Sequence, residues 1–184
     1  MKRGFFPNFL PYIFCLFIGF SCSSGEDPLE PINKQYRLDQ SVFEINSNMY
    51  WEYSDVQGGT DEIRLMEPLP GEIGDDLIVL KPVPGPADLE GVYTYSKTGA
   101  VGTYDLNFIH GIDAQGDFLW KTNGDFGQAL EIRLVGKSEG QKLYRILIDD
   151  FTLNYGYWDY LAAKWISLGQ KSFQLSYEGP ILVN

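Results

Sequence analysis

Five aromatic side chains crowd into one stretch near the C-terminal end of the chain: Tyr155, Tyr157, Trp158, Tyr160 and Trp165. Flat rings exposed on a sheet or loop can stack on sugar rings, and Asn154, Asp159 and Lys164 stand beside them to hydrogen-bond hydroxyls. This makes Tyr155, Tyr157, Trp158 and Trp165 the candidate ligand-binding residues. The competing use of such rings is to fill the space between packed sheets, where each buries about 150–250 Å². Core packing is the commoner use, so most of these rings are expected inside, with at least one of Tyr157, Trp158 and Trp165 exposed. Gly156 sets Tyr155 and Tyr157 on the same side of a strand, which predicts one shared environment for the pair.

The remaining chemistry is sparse. His110 is the single histidine, so a metal site built on several imidazoles is excluded. It follows Phe108-Ile109 and precedes Gly111, a strand-end setting that predicts a solvated or capping role. No Gly-x-Ser-x-Gly elbow is present, and the glycines from Gly111 to Gly116 lack the lysine of a phosphate loop. Two carboxylate pairs, Asp75-Asp76 and Asp149-Asp150, raise the question of glycoside hydrolysis, which needs two acids several ångströms apart. Adjacent residues of a strand face opposite ways, so neither pair converges by itself. Both read as solvated acids, one at a turn and one ending a strand. Asp113, Asp117, Asn123 and Asp125 place oxygen ligands near glycines, but without EF-hand spacing, and they read as β-turns. No metal, no cofactor and no catalytic residue is expected.

The N-terminal segment carries an address. Lys2 and Arg3 precede an apolar run from Phe9 to Phe20, followed by Ser21 and Cys22. That is the order of a charged region, an apolar region too short to span a bilayer, and a processing site. The box Gly19-Phe20-Ser21-Cys22 resembles the type II signal peptide of bacterial lipoproteins, with Gly19 in place of the usual leucine. Residues 1–21 are therefore expected to be removed and Cys22 to be lipidated. Residues 22–33 are rich in Ser, Gly, Pro and acids and read as a flexible leash, roughly 35 Å at full stretch. Cys15 would leave with the leader, so no cysteine remains for a disulfide or a thiol nucleophile.

The elements that must position the aromatics are strands. Tyr104, Leu106 and Phe108 alternate with Asp105 and Asn107; Leu130, Ile132 and Leu134 with Glu131 and Arg133. Tyr144, Ile146 and Ile148 follow after a Lys137-Ser138-Glu139-Gly140 turn, and Phe173, Leu175 and Tyr177 close the chain. Period-two patterns of this kind bury one face of an antiparallel sheet. Shorter β-rich runs lie at Val42–Ile45, Met49–Tyr53, Ile63–Met66, Leu77–Leu80, Val92–Tyr95 and Phe118–Trp120. Glycines and prolines between them, Gly111, Gly116 and Gly124 included, read as punctuation. The expected fold over residues 34–184 is all-β, an antiparallel β-sandwich, with a small closed β-barrel as the alternative. Asp159 to Leu168 allows one short helix through Leu161, Trp165 and Leu168, but a hairpin is preferred.

Tyr36 to Gln40, Leu89 to Tyr95 and the closing Leu175 to Pro180 resemble landmarks of small β-sandwich outer-membrane lipoproteins of unassigned function. Beside that family the 154–170 hairpin is long. The resemblance implies attachment to the outer membrane by N-terminal lipid, on its periplasmic or its outer face, and brings no catalytic residue with it. Net charge is −11 over 184 residues and falls further once Lys2 and Arg3 leave with the leader. Nucleic acid is a poor partner for such a chain, because phosphate binding needs a basic face. The expected function is a lipid-anchored, non-enzymatic envelope module, with a glycan as its ligand. The alternatives are an adhesion or structural component that binds envelope proteins and, behind it, a carboxylate-based glycoside hydrolase.

Overall fold

The structure, a computed structural model, describes residues 30, 32–52, 61–69, 74–84, 89–112 and 118–183. The leader, Cys22, most of the leash and the Asp113–Asp117 loop lie outside the described residues. Eleven strands are present: β1 Gln35–Leu38, β2 Ser41–Glu44, β3 Met49–Glu52, β4 Glu62–Pro68, β5 Asp75–Pro82, β6 Gly91–Tyr95, β7 Thr103–Ile112, β8 Trp120–Gly127, β9 Leu130–Ser138, β10 Gln141–Asp159 and β11 Lys164–Val183. The described residues contain no helix, so the chain is all-β as its alternation predicts.

The long hairpin β10–β11 is the frame. Leu143 to Asp159 pair with Pro180 back to Lys164. The other edge of β10 serves two strands in turn: β9 pairs along Gln141–Leu147 and β8 along Phe151–Gly156. On β11, β1 pairs at Phe173–Ser176 and β3 at Ile181–Val183. From β3 the ladder passes through β4, β5 and β7, then returns to β10 through β8 and through β6 and β9. One continuous sheet therefore curls back on itself, and the two faces of the expected sandwich are joined by hydrogen bonds. Two short pairings, β3 with β11 and β6 with β7, are parallel within an otherwise antiparallel sheet.

Alternation fills the interior. Tyr104, Leu106 and Phe108 of β7, Leu130 and Ile132 of β9, Phe151 and Leu153 of β10 and Phe173, Leu175 and Tyr177 of β11 are all buried in one cluster. Rings meet edge to face there, as Tyr95 and Phe151 do at 4.9 Å between centroids and 87°.

The structure revises the punctuation at two glycines, of which Gly111 lies within β7. Gly124 is not a turn; it lies within β8, a strand that begins at Trp120, where the sequence pattern ended one. A side chain at Gly124 would come within 2.7 Å of Tyr95 and 2.9 Å of Phe151. This glycine is there because two rings need its space. Asp149-Asp150 likewise does not end a strand. The pair forms a bulge between Ile148 and Phe151 inside β10, and both acids are exposed. By contrast, the Glu139-Gly140 turn is as read, with both residues at positive φ (52° and 83°), the requirement of a type I′ hairpin.

Candidate functional site

Beyond Gly156, the last residue paired with β8, β10 is paired among the described residues with β11 alone. The end of the hairpin is thus a two-stranded ribbon extending past the sheet. Asp159 pairs with Lys164, and the turn between them is Tyr160-Leu161-Ala162-Ala163. Asp159 Oδ1 accepts the backbone N–H groups of Leu161 and Ala162 at 2.9 and 3.0 Å, and Ala163 takes a left-handed φ of 48° to close the turn. A side-chain cap on a β-turn, not a helix, therefore governs the ambiguous stretch.

Most of the ribbon's large side chains meet water. Tyr157 is 43% exposed, Trp158 45% and Tyr160 85%, while Leu161 at the apex is completely open. Trp158 stands opposite Trp165 across the ribbon. Trp165 is half-buried because its indole lies back over Gly156, where an added side-chain carbon would come within 2.9 Å of the ring and clash with the carbonyl of Ile166. Tyr155, in contrast, belongs to the body. Its ring packs on Trp120 at 5.5 Å, and the Lys171 ammonium sits 5.1 Å from its centroid. Tyr155 and Tyr157 therefore do not share one environment as predicted. The body ends between them, and a register shift at that point, with Leu168 as the extra residue of β11, marks the boundary.

The ribbon points away from the side on which the chain arrives. The Glu30 carbonyl accepts a hydrogen bond from Arg145, and the Asn33 carbonyl accepts one from Ser176 at 2.5 Å. Arg145 in turn pairs with Glu178. From Glu178 to Lys164 along β11 is about 45 Å at the usual strand rise. Glu30 and Asn33 therefore lie at one end of the molecule, and the aromatic turn occupies the other.

The acids and the histidine behave differently from expectation. Asp76 is not a solvated turn acid: it lies in β5 and is only 1% exposed. Tyr36 donates its hydroxyl to Oδ2 at 2.6 Å, while His110 Nδ1 at 2.8 Å and the Gly111 N–H at 3.2 Å meet Oδ1. His110, read as solvated or capping, is largely covered and stacks on Trp120 at 4.6 Å. Directly across β4–β5 from Asp76 is Glu67, also buried, whose carboxylate accepts the N–H groups of Asn46 and Ser47 at 2.9 and 3.0 Å. Burial first, then the bond to Asp76 and the charges of both acids, push the Tyr36 phenol well above its ordinary range. The carboxyl oxygens of both acids are engaged by donors from the fold, which ties β1, β4, β5 and β7 together. A cavity of about 350 Å³ beside Glu67, walled by Tyr36 and Phe43, adds no further acid than Glu44.

Sequence reading missed this convergence because Glu67 and Asp76 meet only through register, which composition does not carry. Compared with protein-family models, with curated proteins and with solved structures, the chain matches none.

Proposed function

We propose that this chain is a lipid-tethered module of the bacterial outer membrane that binds a glycan through the aromatic end of its β10–β11 hairpin. The observation that supports it is the placement of Tyr157 and Trp158, exposed on a ribbon at the end opposite the leash. Leaving aromatic rings in water forgoes roughly 2 kcal/mol of burial each. Tyr157, Trp158 and Tyr160 are thereby left open to a ligand, with Tyr157 on one face of the ribbon and Trp158 on the other, beside Trp165. Residues 1–21 act as the leader and Cys22 carries the lipid in this reading, so the aromatic turn faces away from the anchoring membrane.

The test has two parts. Metabolic labelling with palmitate should mark the wild-type chain and not Cys22→Ser; an unlabelled, freely diffusing wild-type chain would remove the tether. Titrating oligosaccharides against intrinsic fluorescence should give a saturable change that Trp158→Ala abolishes with the thermal midpoint nearly unaltered. A large loss of stability in that variant, with binding intact, would return the ring to a structural role.

A second reading, docking of an envelope protein by strand addition, is favoured by one observation. The outer edge of β11 from Lys164 to Lys171 pairs with no strand among the described residues. Cross-linking in intact cells that captures a protein neighbour, with no affinity for glycans, would prefer it.

A further inference from the structure

Four carboxamides line up across neighbouring strands. Asn107 of β7 stands opposite Asn123 of β8, Asn123 opposite Asn154 of β10, and Asn154 opposite Gln170 of β11. Their strand neighbours Phe108, Thr122 and Leu153 are buried, so the pleat turns the amides outward. Asn123 and Gln170 are exposed, Asn107 and Asn154 half-buried. Two of the four are oriented by bonds along their own edge of the row. The Ser167 hydroxyl donates to Asn154 Oδ1 at 2.9 Å, and Gln170 Nε2 donates to Asp125 Oδ2 at 2.7 Å. Among the described residues none of the four amides bonds to the next, and the side chains of Asn107 and Asn123 have no polar partner. The row is therefore not a ladder knitting the sheet together. One step toward the ribbon the residues are Lys121, Gly156 and Ser167, and over Gly156 lies the Trp165 indole.

We infer that this outer face of β7, β8, β10 and β11 binds a linear, neutral, hydroxyl-rich oligosaccharide lying across the strands, with Asn107, Asn123, Asn154 and Gln170 as its hydrogen-bonding row and Trp165 as the stacking plane at one end. The inference deepens the glycan reading above and rests on it. A carboxamide both donates and accepts, as sugar hydroxyls do, and carries no charge to select an anion. Strands about 4.8 Å apart space the four amides over roughly 14 Å, about the length of three sugar rings. The neighbouring charges are mixed in sign, Lys121 and Lys81 against Asp125 and Asp105. They leave the row without a net preference for a charged sugar.

The test uses the full-length chain in detergent micelles, titrated with glucose and with cello-, malto- and manno-oligosaccharides of increasing length. Affinity for one of these series should climb until about three units are present and then level. Asn123→Ala should weaken that binding roughly three- to tenfold, as loss of a hydrogen bond does, with the denaturation midpoint unmoved. Asn107→Ser supplies the same reading should the first variant fold poorly. If Trp158→Ala weakens binding while both asparagine variants match wild type, or if glucose binds as well as the longer chains, the amide row is overturned and the aromatic site stands. If wild type binds none of these sugars, the glycan reading falls, and the row with it.

Discussion

The body of the sheet and the ribbon beyond it are built from the same residue types and treat them oppositely. In the body, Tyr36, Tyr104, Phe108, Phe151, Phe173 and Tyr177 are almost wholly buried. Hydroxyls there find fixed acceptors: Asp76 for Tyr36, the Gln128 carbonyl for Tyr104, the Pro180 carbonyl for Tyr177. In the ribbon, Tyr157, Trp158 and Tyr160 are left in water on two strands that no other strand flanks among the described residues. An isolated two-stranded hairpin is marginal in water. This one holds because its strands run on into the body and its turn is capped by Asp159. The contrast teaches that aromatic content by itself says little about binding; what matters is whether a ring lies before or after the last strand that can cover it.

Alkali should break the comparison most completely, because the phenols it attacks lie in the body. Burial pushes Tyr95 up to about 12 and holds Tyr36, Tyr104 and Tyr177 above the ordinary value too. The folded state thus keeps protons that the unfolded chain releases. Stability is fully present below pH about 10, the unfolded value, and is lost as pH rises from there toward 12. Near-UV absorbance should show cooperative phenolate formation coincident with unfolding; gradual ionisation of a still-folded chain would contradict the tight body described.

A core truncation comes next. Phe108→Ala removes a ring packed among Tyr36, Trp120 and Phe173 and should cost about 3–5 kcal/mol in urea denaturation. Gly156→Ala probes the boundary between the two regions. The new methyl meets the Ile166 carbonyl and the Trp165 indole, so about 1–3 kcal/mol should be lost. Tryptophan emission should shift to the red as that indole is pushed out, and an unshifted spectrum would mean the ribbon adapts without moving it. The smallest effect belongs to Trp158→Ala, within about 0.5 kcal/mol of wild type, as for a surface residue outside the packed core. A loss near that of Phe108→Ala would erase the distinction between body and ribbon.

Much of the fold was legible because its signals are local. Alternation at Tyr104–Phe108, Leu130–Leu134 and Phe173–Tyr177 gave the strands, and Glu139-Gly140 gave a hairpin. The capped Tyr160–Ala163 turn matched the hairpin preferred over a helix. What failed was reading glycine as punctuation. Gly111 and Gly124 sit within strands, where Leu119 at the first and the Tyr95 and Phe151 rings at the second occupy the space a side chain would take, and no local pattern encodes that.

Of the candidate ligand residues, the grouping of Tyr155, Tyr157, Trp158 and Trp165 could be read from spacing, but not their division. Tyr155 lies under Trp120 and Lys171, which arrive from β8 and β11. Its neighbour two residues on lies past the last pairing of β10 with β8. Asp76, read as solvated, and His110, read as solvated or capping, are joined because β5 and β7 pair, and the row of Asn107, Asn123, Asn154 and Gln170 exists only as register across four strands.

By itself the sequence determined that this is an all-β chain without helices among its described residues, with period-two burial and turn chemistry sufficient to place most strands. Only the tertiary structure decided which side chains meet: that the sheet closes on itself, that Glu67 faces Asp76, and that Tyr157, Trp158 and Tyr160 end up beyond the body. The reason is physical. Alternation is fixed by the pleat and repeats within a few residues, whereas pairing register is chosen by the packing of the whole core at once, and a slip of one residue would turn every side chain to the other face.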